Sequence, residues 1–308
     1  MKQIFKQVKN FIFDKQIRFG YLSTLGFYNW IPDDIYLKKE FKVRMGNELN
    51  LNNPQTFNEK IQWLKLYDRH PEYTMMVDKY AAKQYVASKI GDDYIITTLG
   101  VWTKFDDIDF DKLPNQFVLK CTHDSGGLVI CKDKSTLDIT AAKRKIEHCL
   151  KRKYYYIHRE WPYKNVPPRI IAEKYMIDNV NTSTNETLKD YKFYCFDGKV
   201  RFLMINSDRN SKMSTKADYF DRDFNWLDFT WGYEHANVRP VKPDCFDEMI
   251  SISEKLSKGL PHVRVDLYEC NGQIYFGELT FYDGSGFDKI EPIEWDYKIG
   301  KMLKLPSK

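Results

Sequence analysis

Three groups of residues in this 308-residue chain have types and spacings that could do chemistry. The first is Lys120 with the turn His123-Asp124-Ser125-Gly126-Gly127. A cation at a strand end stands just before a glycine-rich turn, where unhindered backbone N–H groups can approach an anion. It is not a Walker loop, since G-x-x-x-x-G-K-[ST] does not occur. A plain hairpin turn containing Ser-Gly-Gly accounts for it equally well. The second group is Arg264-Val265-Asp266 with Glu278-Leu279-Thr280. Alternation places Arg264 and Asp266 on one face of a strand, and Glu278 and Thr280 on one face of the next. The Asn271-Gly272 turn makes those strands antiparallel neighbours. Two carboxylates with no obvious salt-bridge arrangement suit Mg²⁺, which is often held by one or two carboxylates plus phosphates. Arg264 beside them could neutralise charge on a transferred phosphoryl group. The alternative is a cross-strand arginine–carboxylate cluster on a solvated face. The third group is Asp190-Tyr191-Lys192, whose two charges share a strand face and read most simply as exposed.

Three D-x-D tripeptides, at 107–109, 109–111 and 221–223, could hold the metal of a nucleotide-sugar transferase, but such tripeptides are common by chance. Histidines do not cluster, and neither H-E-x-x-H nor G-x-S-x-G is present, so zinc hydrolase and serine esterase chemistry lack support.

The elements that must position these groups follow from pattern. Asn52-Asn53-Pro54 marks a turn, and Thr56 with Glu59 forms a capping box that opens a helix through Leu66. A second helix is expected over 77–90, ending near Gly91. Strands are expected at 116–121 and 128–131, around the glycine-rich turn, and at 169–176. A hairpin over 191–205 turns at Asp197-Gly198, and another over 263–281 turns at Cys270-Asn271-Gly272. Helices are expected near 139–153, 245–258 and 294–304. Hairpins mixed with helices give an α+β fold rather than a doubly wound sheet. Residues 2–22 space apolar side chains helically among basic ones. That helix either packs on its own domain, the simpler reading, or lies on an anionic membrane surface.

Composition sets outer bounds. The chain is 43% hydrophobic and 30% charged, as a globular protein is. A net charge of +5, interleaved with acids, does not call for nucleic acid, whereas a nucleotide-phosphate site or an anionic polysaccharide would account for it. The six cysteines form no C-x-x-C pair and read as reduced core thiols. No run approaches the ~20 apolar residues of a membrane span, and residues 1–20 lack a clean signal-peptide core. The expected compartment is the cytoplasm, with the inner membrane face as the second location.

In order, these elements resemble the ATP-grasp superfamily: V-D-K at 77–79, F-V-L-K at 117–120, the glycine-rich turn, I-A-E-K-Y-M at 171–176, D-Y-K at 190–192, R-V-D at 264–266 and G-E-L-T at 277–280. The stretch N-P-Q-T-F-N-E-K-I-Q-W-L-K at 53–65 is similar to the branch named for teichuronopeptide synthesis, found in bacterial surface-polysaccharide pathways and often labelled glycosyltransferases. The resemblance covers roughly residues 40–305. It implies that Lys79 and Lys120 hold ATP phosphates, that Ser125-Gly126-Gly127 closes over them, and that Glu173, Lys174, Tyr175 and Met176 form the hinge at the adenine edge. Asp190 and Lys192 fall near ribose and phosphates. Asp266 and Glu278 match the metal carboxylates, and Arg264 matches the arginine facing the reacting phosphoryl group. One departure is Thr280, where the superfamily usually carries Asn, which puts a second metal in doubt.

The resemblance thus implies an N-terminal helical arm with a family-specific segment (1–68), a linker helix with a small ATP-grasp subdomain (69–176), and a C-terminal core subdomain (177–308). The implied activity is a Mg-dependent ligase joining a uronic-acid-type carboxylate to an amine or amino acid through an acyl phosphate. Two alternatives stay open at this point: a nucleotide-sugar glycosyltransferase of the same pathway, and a non-catalytic glycan-binding module.

Overall fold

A computed structural model describes residues 11, 13–178, 189–207 and 215–307. Helix α1 (Lys15–Thr24) is followed by α2 (Asp33–Met45), α3 (Phe57–Tyr67), α4 (Glu72–Val77) and α5 (Ala81–Ile90). A four-stranded antiparallel sheet comprises β1 (Thr98–Trp102), β2 (Phe117–Cys121), β3 (Leu128–Cys131) and β4 (Ile170–Lys174), in the order β1-β4-β2-β3. Between β3 and β4 run α6 (Ile139–Leu150) and the short helix α7 (Tyr155–His158). A six-stranded antiparallel sheet follows, built from β5 (Asp190–Phe196), β6 (Lys199–Ser207), β7 (Lys216–Asp221) and β8 (Trp226–Leu227), with β10 (His262–Cys270) and β11 (Gln273–Thr280). Its order is β11-β10-β5-β6-β7-β8, and a two-residue strand β9 (Thr230–Trp231) pairs with β12 (Ile290–Glu291). Helix α8 (Phe246–Ser257) lies on the large sheet, and α9 (Ile293–Met302) packs on α3. The fold is α+β, as the hairpin pattern requires.

Two hydrophobic cores result. The smaller holds Phe117, Leu119 and Ala172 of the four-stranded sheet against Ala142, Ile146 and Cys149 of α6. The larger surrounds the six-stranded sheet and also takes in Phe57, Ile61 and Leu64 of α3 and Leu37 and Phe41 of α2. Every residue of β5 is buried, so the central strands are covered on both faces. One face presents Phe193 and Cys195 to Phe246 and Ser253 of α8. The other presents Tyr194, Phe196 and His262 to Phe57 and Trp231. Lys192, Arg264 and Asp266 alternate in phase with this second face and are themselves buried.

The capping box at the start of α3 forms as expected. Glu59 N–H donates to Thr56 Oγ1 at 3.2 Å, and Thr56 N–H donates to Glu59 Oε2 at 3.1 Å. The single helix expected over 77–90 is instead broken. Asp78 is extended, its carboxylate caps the Tyr80 N–H at 3.0 Å, and a new helix starts at Ala81. In that break the Lys79 N–H donates to Thr122 O at 3.1 Å, which ties the segment to the end of β2. The helix expected over 2–22 is also altered. Asp14 caps α1 by accepting from the Gln16 and Ile17 N–H groups at 2.8 and 3.0 Å, and the part over residues 2–10 lies outside the described residues. All six cysteines are free thiols. Among the described residues no helix is long and apolar enough to cross a membrane.

Candidate active site

The second and third residue groups meet on the large sheet. Asp266 faces Lys192 on β5 and Glu278 on β11 in register. Arg264 Nε and NH2 donate to the two Asp266 oxygens at 2.6 and 2.7 Å, and NH2 also reaches Glu278 Oε1 at 3.2 Å. The Lys192 ammonium bonds Asp266 as well and sits 2.8 Å from Asp190. Arg264 NH1 donates to Asp283, whose other oxygen accepts from the Tyr194 hydroxyl. The sequence suggested carboxylates free of salt bridges; in the structure Arg264 bridges them both. The cluster is largely buried rather than a solvated face, with Glu278 its most exposed member at 42% side-chain exposure. Burial alone would raise the Asp266 pKa, but Arg264 and Lys192 outweigh it and hold the carboxyl below its ordinary range. Burial works against the Lys192 charge too, yet Asp266 and Asp190 keep its pKa above the ordinary lysine value.

The carboxylates fit Mg²⁺ as a pair, not as a cage. Among the described residues no three His, Cys, Asp or Glu side chains gather for a metal, so Asp266 and Glu278 would need phosphate oxygens to complete the shell. Glu278 offers exposed oxygen, whereas Asp266 already accepts from two cations. Thr280 Oγ1 lies 3.4 Å from Glu278 Oε1 and so buttresses that carboxylate.

The lysines form a second centre. Lys120, on β2, lies 2.5 Å from Glu173 of β4, and Lys83 of α5 lies 2.5 Å from the other Glu173 oxygen. Burial alone would raise the Glu173 pKa, but the two ammonium groups hold it below 4.5. The side chain of Glu173 is thus a buried counter-ion, leaving only its backbone to act at a hinge. Lys174 is the last residue of β4, Tyr175 and Met176 follow it, and the next carbonyl, of Ile177, accepts from Asn271 Nδ2 at 2.8 Å at the β10–β11 turn. Lys79 Nζ donates to Asp124 O at 2.7 Å and braces the glycine-rich turn. Ser125 and Gly126 are exposed at its tip, and Gly127 is packed so that a Cβ would come within 2.9 Å of Cys121 Cβ. From the other side Arg152 NH1 donates to Ser125 O at 3.0 Å. Tyr154 stands between the turn and the carboxylates: Glu160, burial, Glu278 and Asp124 together push its hydroxyl pKa far up.

Several residues of the site were not singled out from sequence. Lys83 and Asp283 carry no motif that marks them. Gln62 and Lys65, in the branch-specific stretch, turn out to hold the loop after β11. Gln62 Nε2 donates to the carbonyls of Ser285 and Gly286 at 3.0 and 2.8 Å, and Lys65 Nζ donates to Ser285 O at 2.7 Å. Asn58 Nδ2 donates to Asp288 O at 3.1 Å. Gly284, Ser285 and Gly286 all have positive φ, and a Cβ on Gly286 would meet Gln62 Nε2 at 2.5 Å. The loop therefore needs glycine and this helix together, and it delivers Asp283 to Arg264. A cavity of about 290 Å³ opens there, with Lys192, Arg264, Asp283 and Asp288 on its wall and Tyr219 and Trp231 behind. The D-x-D tripeptides are spent on local structure. Asp109 accepts from the Asp111 N–H at 3.2 Å, and Asp221 accepts from the N–H groups of Asp223 and Asn225 at 2.9 and 2.8 Å.

Comparison with solved structures finds loose overlaps. D-alanine–D-alanine ligase from Bacillus anthracis, complexed with ATP, aligns at 19% identity over 67% of this chain and 55% of that one, with a TM-score of 0.41. VanG D-Ala:D-Ser ligase from Enterococcus faecalis aligns at 14% identity over 67% and 52%, with a TM-score of 0.41. The ATP-grasp ligase PsnB, complexed with minimal precursor, Mg and ADP, aligns at 9% identity over 74% and 60%, with a TM-score of 0.40. The chain spans just over half the length of these proteins, and overlaps this loose carry no argument about substrate. No curated protein matches the chain. A profile of the TupA-like ATPgrasp family, by contrast, matches residues 59–304, which run from the Thr56-capped helix through Lys79, Lys120, Glu173, Arg264 and Glu278. With the ordered motifs and that match over most of its length, the chain belongs to the TupA-like ATP-grasp family.

Proposed function

We propose that this protein is an ATP-dependent carboxylate–amine ligase. The observation that carries the reading is the shared guanidinium: Arg264 joins Asp266, Glu278 and Asp283 at one point, beside Lys192 and a cavity of about 290 Å³. ATP lies with its phosphates between Lys79, Lys120 and the Ser125-Gly126-Gly127 turn, with its adenine against the backbone of Glu173 to Met176. Asp190 and Lys192 border the ribose and phosphates. Asp266 and Glu278 would hold Mg²⁺, which would neutralise charge on the phosphate oxygens. The helical arm (1–68), the smaller lobe (69–176) and the C-terminal core (177–308) divide this work.

The chain's own residues supply position and charge. A carboxylate oxygen of the substrate attacks the γ-phosphorus, the bond to the β-phosphate oxygen breaks, and ADP leaves. Arg264 faces the transferred group and is fixed by three carboxylates, so it needs no reorganisation as charge moves. The amine then attacks the acyl carbon and phosphate departs. The family branch supports a uronic-acid-type carboxyl on a bacterial surface glycan and an amino acid or amine as partner, at the cytoplasmic face of the membrane.

Calorimetry with ATP, ADP and nucleotide sugars, followed by hydroxylamine trapping, tests this. MgATP should bind in preference to any nucleotide sugar. With candidate uronic-acid oligosaccharides, hydroxylamine should yield ADP and hydroxamate in equal amounts. Preference for a sugar nucleotide would refute the reading. ADP release with a stable phosphorylated sugar and no hydroxamate would refute the ligase step alone.

A further inference from the structure

Helix α1 has an apolar face turned to solvent. Ile17, Tyr21 and Leu25 recur every fourth residue and are 45%, 57% and 56% exposed. Phe27 and Trp30, in the turn that follows, are 60% and 81% exposed. The opposite face is the one that packs, with Phe19 stacked on Tyr28 and Ser23 bonded to Tyr36. Single exposed apolar residues are ordinary, but a continuous band beside polar groups marks an interaction surface.

The band ends at a basic cavity. Leu25 lines one wall of a space of about 360 Å³, with Thr24 and Asn29 beside it. The facing wall is the C-terminal end of α6 and the residues after it: His148, Lys151, Arg152 and Lys153. Among the described residues no Asp or Glu lines this cavity. With Arg152 paired to Asp124, the two formal positive charges of Lys151 and Lys153 still outweigh the roughly half-unit negative charge of the α6 C-terminus. Lys151 and Lys153 are exposed at the rim, while Arg152 is turned inward to Asp124 and Ser125.

We infer that this face docks on an anionic lipid surface, with the α1 band entering the headgroup boundary and the basic cavity receiving a phosphomonoester headgroup. An apolar helical face beside clustered cations is the physical requirement for interfacial binding. Tyr21 and Trp30 suit a boundary that is apolar on one side and wet on the other. A free phosphate would satisfy the cations but give the apolar band no partner, which is why the lipid-borne form is favoured. The cavity borders the glycine-rich turn through Arg152, whereas the exposed Lys151 and Lys153 lie outside the Lys120 and Arg264 centres, and the inference stands whether or not the ligase reading does.

The test is sedimentation of the full chain with vesicles of phosphatidylcholine alone, or with phosphatidylglycerol or phosphatidic acid added to equal surface potential. The chain should ignore phosphatidylcholine, bind phosphatidylglycerol, and bind phosphatidic acid more tightly. Lys151→Ala with Lys153→Ala should weaken phosphatidic acid binding by at least ~10-fold and erase its advantage. Ile17→Ser with Tyr21→Ser should weaken binding to both anionic vesicles. Circular dichroism checks that both variants, altered only at exposed positions, keep their fold. No vesicle binding, or binding that neither double variant changes, overturns the inference. So does calorimetric binding of inorganic phosphate without vesicle binding, which would mean a soluble ligand. Self-association lost in the Ile17/Tyr21 variant, again without vesicle binding, would assign the band to a second copy and overturn it too.

Discussion

Glu173→Gln is the most informative single change in the smaller lobe. The substitution keeps shape and removes the carboxylate that two lysines share. Lys120 is the less dependent partner, since 26% of its side chain is exposed and it can turn to water. Lys83 is not so free: its side chain is only 11% exposed, and its other partners are Ile96 O at 2.7 Å and Thr98 Oγ1 at 3.0 Å. Leaving a buried charge without its counter-ion costs about 3–5 kcal/mol. Because Lys83 retains two neutral acceptors, the loss should fall near ~3 kcal/mol. Adding Lys83→Met to Glu173→Gln should recover much of it, since the stranded charge is gone. Urea unfolding at neutral pH reads the energy, and hydrogen exchange should place the loss in β2 and β4. The sign with pH is fixed. The Glu173 pKa is lowered in the folded protein, so its contribution is complete above the ordinary value of 4.5 and disappears as pH falls through the folded value. The gap between wild type and variant should therefore close in acid. A Glu173→Gln protein within about 0.5 kcal/mol of wild type, or a gap unchanged in acid, would refute the counter-ion role.

Three further outcomes are expected. Glu278→Gln should keep the melting temperature, Lys120→Ala should melt lower because buried Glu173 loses one of its two counter-ions, and each should lose ATP-dependent turnover by at least ~10²-fold, because one preorganised charge at a phosphoryl centre is worth about 3–4 kcal/mol; near-normal turnover would remove both from the phosphoryl centre. Gln62→Ala removes the donor from Gly286 O and one of two from Ser285 O, so stability should fall by about 1–3 kcal/mol and turnover should fall with it. A stability loss with full turnover would show that the 283–288 loop does not depend on Gln62 for its working position. Lys65 is wholly buried, and burial brings its pKa down to about 8 from 10.5. The unfolded chain then binds more protons than the folded one across that interval, so wild-type stability should rise from about pH 8 towards pH 10, and Lys65→Met should flatten the rise. Equal slopes in urea titrations would contradict the burial argument.

The local elements and the order of motifs were legible in the sequence. Thr56 and Glu59 fix the start of a helix by their own hydrogen bonds, and Asn271-Gly272 makes β10 and β11 neighbours; the register of that turn alone would set Gly277 opposite Asp266, and a one-residue bulge in β11 brings Glu278 there instead. Period-two alternation also put Arg264 and Asp266 on one face. What each charge meets on that face was not legible, because the partners come from distant segments: Lys192 from β5, Asp283 from a loop built on Gly284 and Gly286, and the donors of that loop from α3. Lys83 and Lys79 are four residues apart, yet one goes to a carboxylate on β4 and the other to the glycine-rich turn, since the helix expected through both breaks at Asp78. Only tertiary packing decided that Lys192, Arg264, Asp266, Lys83 and Glu173 are buried and therefore obliged to pair. A strand pattern fixes which face a side chain takes but not whether that face is wet.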